Sequence, residues 1–198
     1  MIFKESPHFW PSSDEIPMAR GWVPGTSGNC HPVEGVPGYT LESRGVTRMP
    51  PAVARKLEID LSSRRDGELF KWLLACLLFG KPIQQEIAER AYRRLVSAGL
   101  RNPDAVLGAG WDELVRLLDE AHYVRYDFST ATKLLEVCQE LKQCYGNITK
   151  LITQARTASE LSAKLQEFKH IGPVTARIFT REVAPIWYGS RRSSPKMS

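Results

Sequence analysis

None of the four cysteines (Cys30, Cys76, Cys138 and Cys144) belongs to a Cys-x-x-Cys pair, and no charged-then-apolar leader opens the chain. Both absences point to an intracellular, reduced setting, cytoplasmic and nucleoid-associated or nuclear. The longest apolar stretch, residues 72–79, falls far short of the roughly 20 residues that span a bilayer. It reads as a core helix, and no membrane partner is expected. His8, Cys30 and His31 match no metal-ligand spacing, so no metal site is expected there.

The charge is also far from extreme: 27 Lys+Arg against 22 Asp+Glu give +5. That balance favours a polyanionic partner without demanding one. With 42% hydrophobic and 25% charged residues over 198 positions, the chain is a globular one with a core to bury.

Residues 1–50 are rich in proline and glycine and hold no helical period, yet Phe9, Trp10, Trp22, Val23 and Tyr39 are too apolar for a plain linker. Residues 1–65 therefore read as an irregular arm packed on the domain, with short strands or one short helix over 51–61. From residue 66 apolar side chains recur at three- and four-residue spacing, the mark of amphipathic helices. The pattern predicts helices over 68–79, 83–98, 102–107, 111–121, 127–145, 147–155 and 157–168, making an all-α domain over 66–188. Asn102 before Pro103, Asp127, and Thr157 with Glu160 supply helix starts, and Gly146-Asn147 supplies a stop. Residues 189–198 read as a basic disordered tail.

The most informative stretch is Phe168-Lys169-His170-Ile171-Gly172-Pro173-Val174-Thr175-Ala176. It joins two helices by a tight turn, with Pro173 at the first position of the second. Free N–H groups at that start, a glycine that lets a ligand approach, and the positive end of the helix dipole together make a seat for phosphate. Lys169, Arg177 and Arg181 add charge around it. Gly and Pro also punctuate ordinary helix connections, so a purely architectural turn in a protein-interaction scaffold is the competing reading.

These residues resemble the helix-hairpin-helix superfamily of DNA glycosylases typified by endonuclease III. The family's hairpin runs leucine, any residue, glycine, aliphatic, glycine, any residue, lysine in bifunctional members, threonine, alanine; residues 168–176 agree in character at five positions. The likeness extends over 67–183 as an order of helices. It implies a helical barrel-like bundle with one helix-hairpin-helix motif, double-stranded DNA held by its phosphate backbone, and base-excision repair by flipping and excising or inspecting an abnormal base. It also implies a monomer and allows a monovalent cation at the hairpin. The implied backbone contacts are Lys169, His170, Ile171, Gly172, Val174, Thr175 and Arg177. Tyr123 and Tyr126 fall where the family lines its base pocket, and Lys81, Gln84 and Gln85 where a side chain fills the space the base leaves.

The sequence departs from the family at several points. His170 replaces the hairpin's first glycine, tolerable because His is enriched at positive φ. Val174 stands where bifunctional members carry their Schiff-base lysine, so a lyase through that position is excluded. No Asp follows the hairpin, which leaves Glu182, Asp127 or Asp14 to stabilise charge on the sugar. Glu182 beside Arg181 reads by default as a solvated side chain, and Asp127 is better explained as a helix cap. The four-cysteine iron–sulfur loop is absent, so no cofactor is expected. Residues 183–198 replace the family's later barrel helices, with Val183, Ile186, Trp187 and Tyr188 and the arm left to cover that side. Two functional readings result: a monofunctional glycosylase, or a non-catalytic module that binds damaged or unusual DNA.

Overall fold

The computed structural model describes residues 53–189, together with the backbone of two short strands, β1 (Trp22–Pro24) and β2 (Cys30–Pro32). The strands pair antiparallel with Val23 opposite His31, inside a separate unit that covers residues 1–39. The packing expected of the arm, the side chains of His8, Asp14, Cys30 and His31, and residues 190–198 lie outside the described residues.

From residue 53 onward the described chain is all-helical: α1 (Val53–Lys56), a 3₁₀ turn (Leu61–Ser63), α2 (Asp66–Phe79), α3 (Gln85–Ser97), α4 (Pro103–Glu120), α5 (Asp127–Cys144), α6 (Ile148–Gln154), α7 (Ala158–Gln166) and α8 (Pro173–Tyr188). No helix among the described residues is long and apolar enough to cross a membrane.

α2 is the spine. Asp66 and Glu68 favour its start through the helix dipole, and every residue from Leu69 to Phe79 except Lys71 is buried, so it is apolar on all sides, as a central helix must be. Its polar ties are made by neighbours: the Trp72 indole donates to the Phe179 carbonyl on α8 (3.3 Å), and the Tyr123 hydroxyl donates to the Leu78 carbonyl (2.8 Å). α3, α5, α6 and α8 all pack against it.

The predicted starts and stops mostly stand. Asn102 accepts from the Ala105 amide and Asn147 from the Lys150 amide. Thr157 accepts from the Glu160 amide, while Glu160 reaches back to the Arg156 amide instead of its own capping partner. The helices expected over 102–107 and 111–121 run together as α4, interrupted at Gly110, whose φ of 75° only glycine adopts easily. Asp127 is corrected: Tyr126 holds the cap position, and Asp127 is the first helical residue, its carboxylate accepting from the Phe128 amide.

The domain boundary moves as well. Val53, Ala54, Leu57, Ile59 and Leu61 are buried in the same core as α2, so the helical domain takes in residues assigned to the arm. Elements of three and four residues are too short to show a period.

One close approach fixes α2 against the start of α8. A Cβ at Gly80 would lie 2.3 Å from the Thr175 hydroxyl, inside any real contact distance, and 3.1 Å from the Cys76 carbonyl, tighter than most. Gly80→Ala is therefore expected to cost about 1–3 kcal/mol through overpacking. In urea melts the double variant with Thr175→Ala should lose less than the sum of the two singles.

Candidate functional site

α7 and α8 pack side by side, joined by residues 167–172. Phe168 and Ile171 anchor this turn in the core at 4% and 3% exposure, and Phe168 stacks on Tyr145 with ring centroids 6.0 Å apart. Anchored from below, the turn presents Gly172 and Pro173 to solvent. Gly172 is the N-cap of α8, no side chain caps that end, and its carbonyl receives the Ala176 amide at 3.0 Å. The amides of Gly172, Val174 and Thr175 meet no acceptor among the described residues. Gly172 has φ −83° and ψ 175°, ordinary extended backbone, and a Cβ there would meet nothing within 4 Å. Its small size is not required by the protein's own packing.

The predicted backbone contacts separate under this geometry. Arg177 is exposed one turn into α8, with no ion partner among the described residues. Thr175 is buried and Val174 half-buried, so these residues offer only main-chain groups. Ile171 drops out as a donor, because its amide is spent on the Phe168 carbonyl at 3.1 Å. Lys169 and His170 turn towards α5, where both meet Glu136, the lysine at 2.9 Å and the imidazole at 2.5 Å. His170 does not adopt positive φ, so the expectation that it mimics a glycine is corrected.

Beside the turn, α7 and α8 enclose a groove of about 930 Å³ lined by Arg156, Arg177 and Arg181 together with Thr157, Ser162 and Gln166. None of its described lining residues is acidic. Arg181 and Glu182 approach each other at 3.5 Å. Glu182 stands ten residues along α8 from Gly172, about 15 Å at the helical rise, close enough to α2 to act on the Cys76 thiol. The structure thus keeps this first carboxylate candidate away from the turn. Asp127 is buried at the start of α5 and faces its own helix.

The aromatic segment before α5 divides too. Tyr123 is fully buried with its hydroxyl bonded to α2, so it is a core residue and lines no pocket. Tyr126 is half-buried and carries Lys81 and Arg125 against its ring, 5.3 and 5.6 Å from the centroid. Gln84 is exposed ahead of α3, whereas Gln85 is tied to Glu89. Phe128, which closes the same aromatic segment, is 60% exposed and stacks on Trp111 at 5.4 Å.

Sequence reading also missed the acid–base face of α5. Lys133, Glu136 and Glu140 follow one another at helical spacing and face the turn. Burial pushes the Glu136 carboxyl up, but its bonds to Lys169 and His170 outweigh that and hold it below the ordinary value. Burial lowers the His170 pKa, the charges of Lys169 and Lys133 add to this, and Glu136 opposes it. Glu140 is 9% exposed and neither of its oxygens makes a hydrogen bond. Burial raises its pKa to about 7, with the nearby Lys169 amide moderating the rise. Among the described residues, Cys76 and Cys138 carry free, buried thiols.

No family model matches the chain, and no curated protein or solved structure was found to match it.

Proposed function

We propose that the protein binds double-stranded DNA through the phosphate backbone, with the start of α8 as the seat. The observation that carries this reading is the exposed, uncapped first turn at Gly172–Pro173, flanked by Arg177, which has no ion partner among the described residues. Three amides without acceptors among the described residues lie at the positive dipole end, a combination that an oxyanion satisfies better than any neutral group. The arginine-lined groove extends positive charge along the same helix pair. On this reading α7, the turn and α8 form a helix-hairpin-helix motif within a barrel-like bundle, as the resemblance to the endonuclease III-like glycosylases implies.

Inspection of DNA is better supported than excision. Val174 is no nucleophile, and neither Glu182 nor Asp127 approaches the turn. A glycosylase acting here would be a monofunctional hydrolase with some other carboxylate; single-turnover release of base from lesion-bearing duplexes separates it from a binding module.

The direct test is a salt titration of duplex affinity. Each phosphate neutralised contributes about 0.9 to the slope of log K on log salt. Contacts from Arg156, Arg177 and the helix start predict a slope of about −2 to −3, and Arg177→Ala should reduce its magnitude by about one. An interaction scaffold with no DNA role shows no binding and no slope.

A further inference from the structure

The groove between α7 and α8 begins at Pro173, beside the turn, and ends at Arg156 and Gly189. Its α8 wall is one helix face, made by Pro173, Arg177, Thr180, Arg181, Ala184 and Tyr188 at three- and four-residue spacing. That face runs for about 22 Å at the helical rise. Arg177 and Arg181 stand one turn apart on it, and Arg156 closes the far end. Between the guanidinium groups the surface is apolar, from Ala158 on one side and Ala184 and Pro185 on the other. The Tyr188 ring is held in place by its hydroxyl, which donates to the Ile152 carbonyl at 2.9 Å. Two acids stand beside this rim: Glu182 is 3.5 Å from Arg181, and the Glu160 carboxylate accepts from the Arg156 amide. Neither lines the groove. Thr180 is 8% exposed and its hydroxyl has no hydrogen-bond partner among the described residues, which is rare for a buried polar group.

A surface on which arginines alternate with apolar patches fits a ligand of the same mixed character. A single nucleic-acid strand is such a ligand, because its phosphates are anionic and its unpaired bases present apolar faces. A duplex keeps those faces stacked inside a convex cylinder. Two helices packed side by side lie about 8–10 Å apart, so the valley between them takes one strand and not two. We propose that the groove holds an unpaired DNA strand that continues from a duplex seated at the start of α8. The inference rests on the DNA reading and narrows its substrate class to duplexes with a single-stranded extension. Arg177 and Arg181, about 6 Å apart along the helix axis, donate to successive phosphates of that strand, and Arg156 donates to one further on. A base lies against Tyr188 and Pro185, and the strand brings an acceptor to Thr180. The groove is long enough for about 4 nucleotides, the shortest footprint of single-strand binders.

The test measures the affinity of the full chain for a blunt duplex and for the same duplex carrying an overhang of about six nucleotides at its 3′ or its 5′ end. One of the two overhangs should raise affinity by about tenfold or more and steepen the salt slope by about 0.7 for each phosphate added. Ala184→Glu sets a negative charge in the groove about 18 Å along α8 from Gly172. It should erase the gain while affinity for the blunt duplex stays within a few-fold. Ser162→Glu, on the α7 wall, makes the same test should Ala184→Glu fail to fold. Gly172→Leu should lower both affinities together and leave their ratio unchanged. A chain that binds neither DNA loses the seat at α8 and this inference with it. Binding of the blunt duplex with no gain from either overhang overturns this inference alone, as does a gain that survives a charge placed on either wall.

Discussion

Gly172→Leu should lower duplex affinity by about ten- to a hundredfold while the protein remains folded. Two features of the turn set this expectation. Among the described residues, none beyond its chain neighbours lies within 4 Å of a Cβ at this position, and the backbone there is extended, so an added side chain strains nothing. The cost to folding is limited to replacing a tolerable N-cap by a poor one, at most about 1 kcal/mol. A ligand seated on the α8 amides, in contrast, must pass where the leucine would stand. Excluding it forfeits one or two charge-assisted hydrogen bonds, at about 1.5–3 kcal/mol each. Gly172→Ser is the control, since serine is a good N-cap of small volume and should keep affinity within a few-fold. Circular dichroism and a thermal melt, read beside the binding isotherm, separate the two effects. Loss of affinity in step with loss of helix would assign Gly172 a structural role.

Glu140→Gln is expected to stabilise the fold by up to about 3 kcal/mol at pH 8 and by almost nothing at pH 4. In the unfolded chain this carboxyl ionises near the ordinary glutamate value of about 4.3. In the fold it keeps its proton up to about 7, because burial disfavours the charged form and the nearby Glu136 charge adds to this. Below about pH 4 both states are protonated and the residue is neutral in effect. Between the two values only the unfolded chain ionises, so native stability falls as pH rises. Above about 7 the loss is complete. His170 works in the opposite sense, since its lowered pKa costs stability as pH falls through the unfolded value of about 6.5. That contribution is present in both proteins and cancels in their difference. Urea midpoints of the two proteins at pH 4, 6 and 8 should diverge steadily; parallel curves would mean that Glu140 is solvated.

The two α5 acids show why the candidate site was only partly legible in the sequence. The turn itself was readable, because Gly172 and Pro173 carry local chemistry that survives any tertiary context. So were Asn102 and Thr157, whose side chains cap helices within three residues; Asn147, read as part of the stop after α5, instead caps α6. What the turn rests on was not readable. Glu136 is 34 residues from His170, and nothing in either segment signals that they meet. Glu140 does leave a trace, since a charge next to Leu141 and three residues from Val137 interrupts the buried stripe of α5. Lys169 and His170 looked like free cations for the opposite reason: their sequence neighbours are suggestive, while their counter-charge comes from another helix. Tyr123 follows the same pattern. An aromatic with a polar tip fits a pocket or a core equally well, and only the bond to the Leu78 carbonyl decides for the core. Residues 53–63 were misplaced because short elements carry no period, although five of their side chains are buried with α2.

The account turns on whether the first turn of α8 receives phosphate. The most direct measurement is an amide ¹H–¹⁵N titration of the full chain with a short DNA duplex at low salt. Gly172, Val174 and Thr175 should shift most and saturate together, with the Arg177 side chain following and all of them returning as salt is raised. Shifts confined to other surfaces, with these three amides unmoved at saturating duplex, would contradict it.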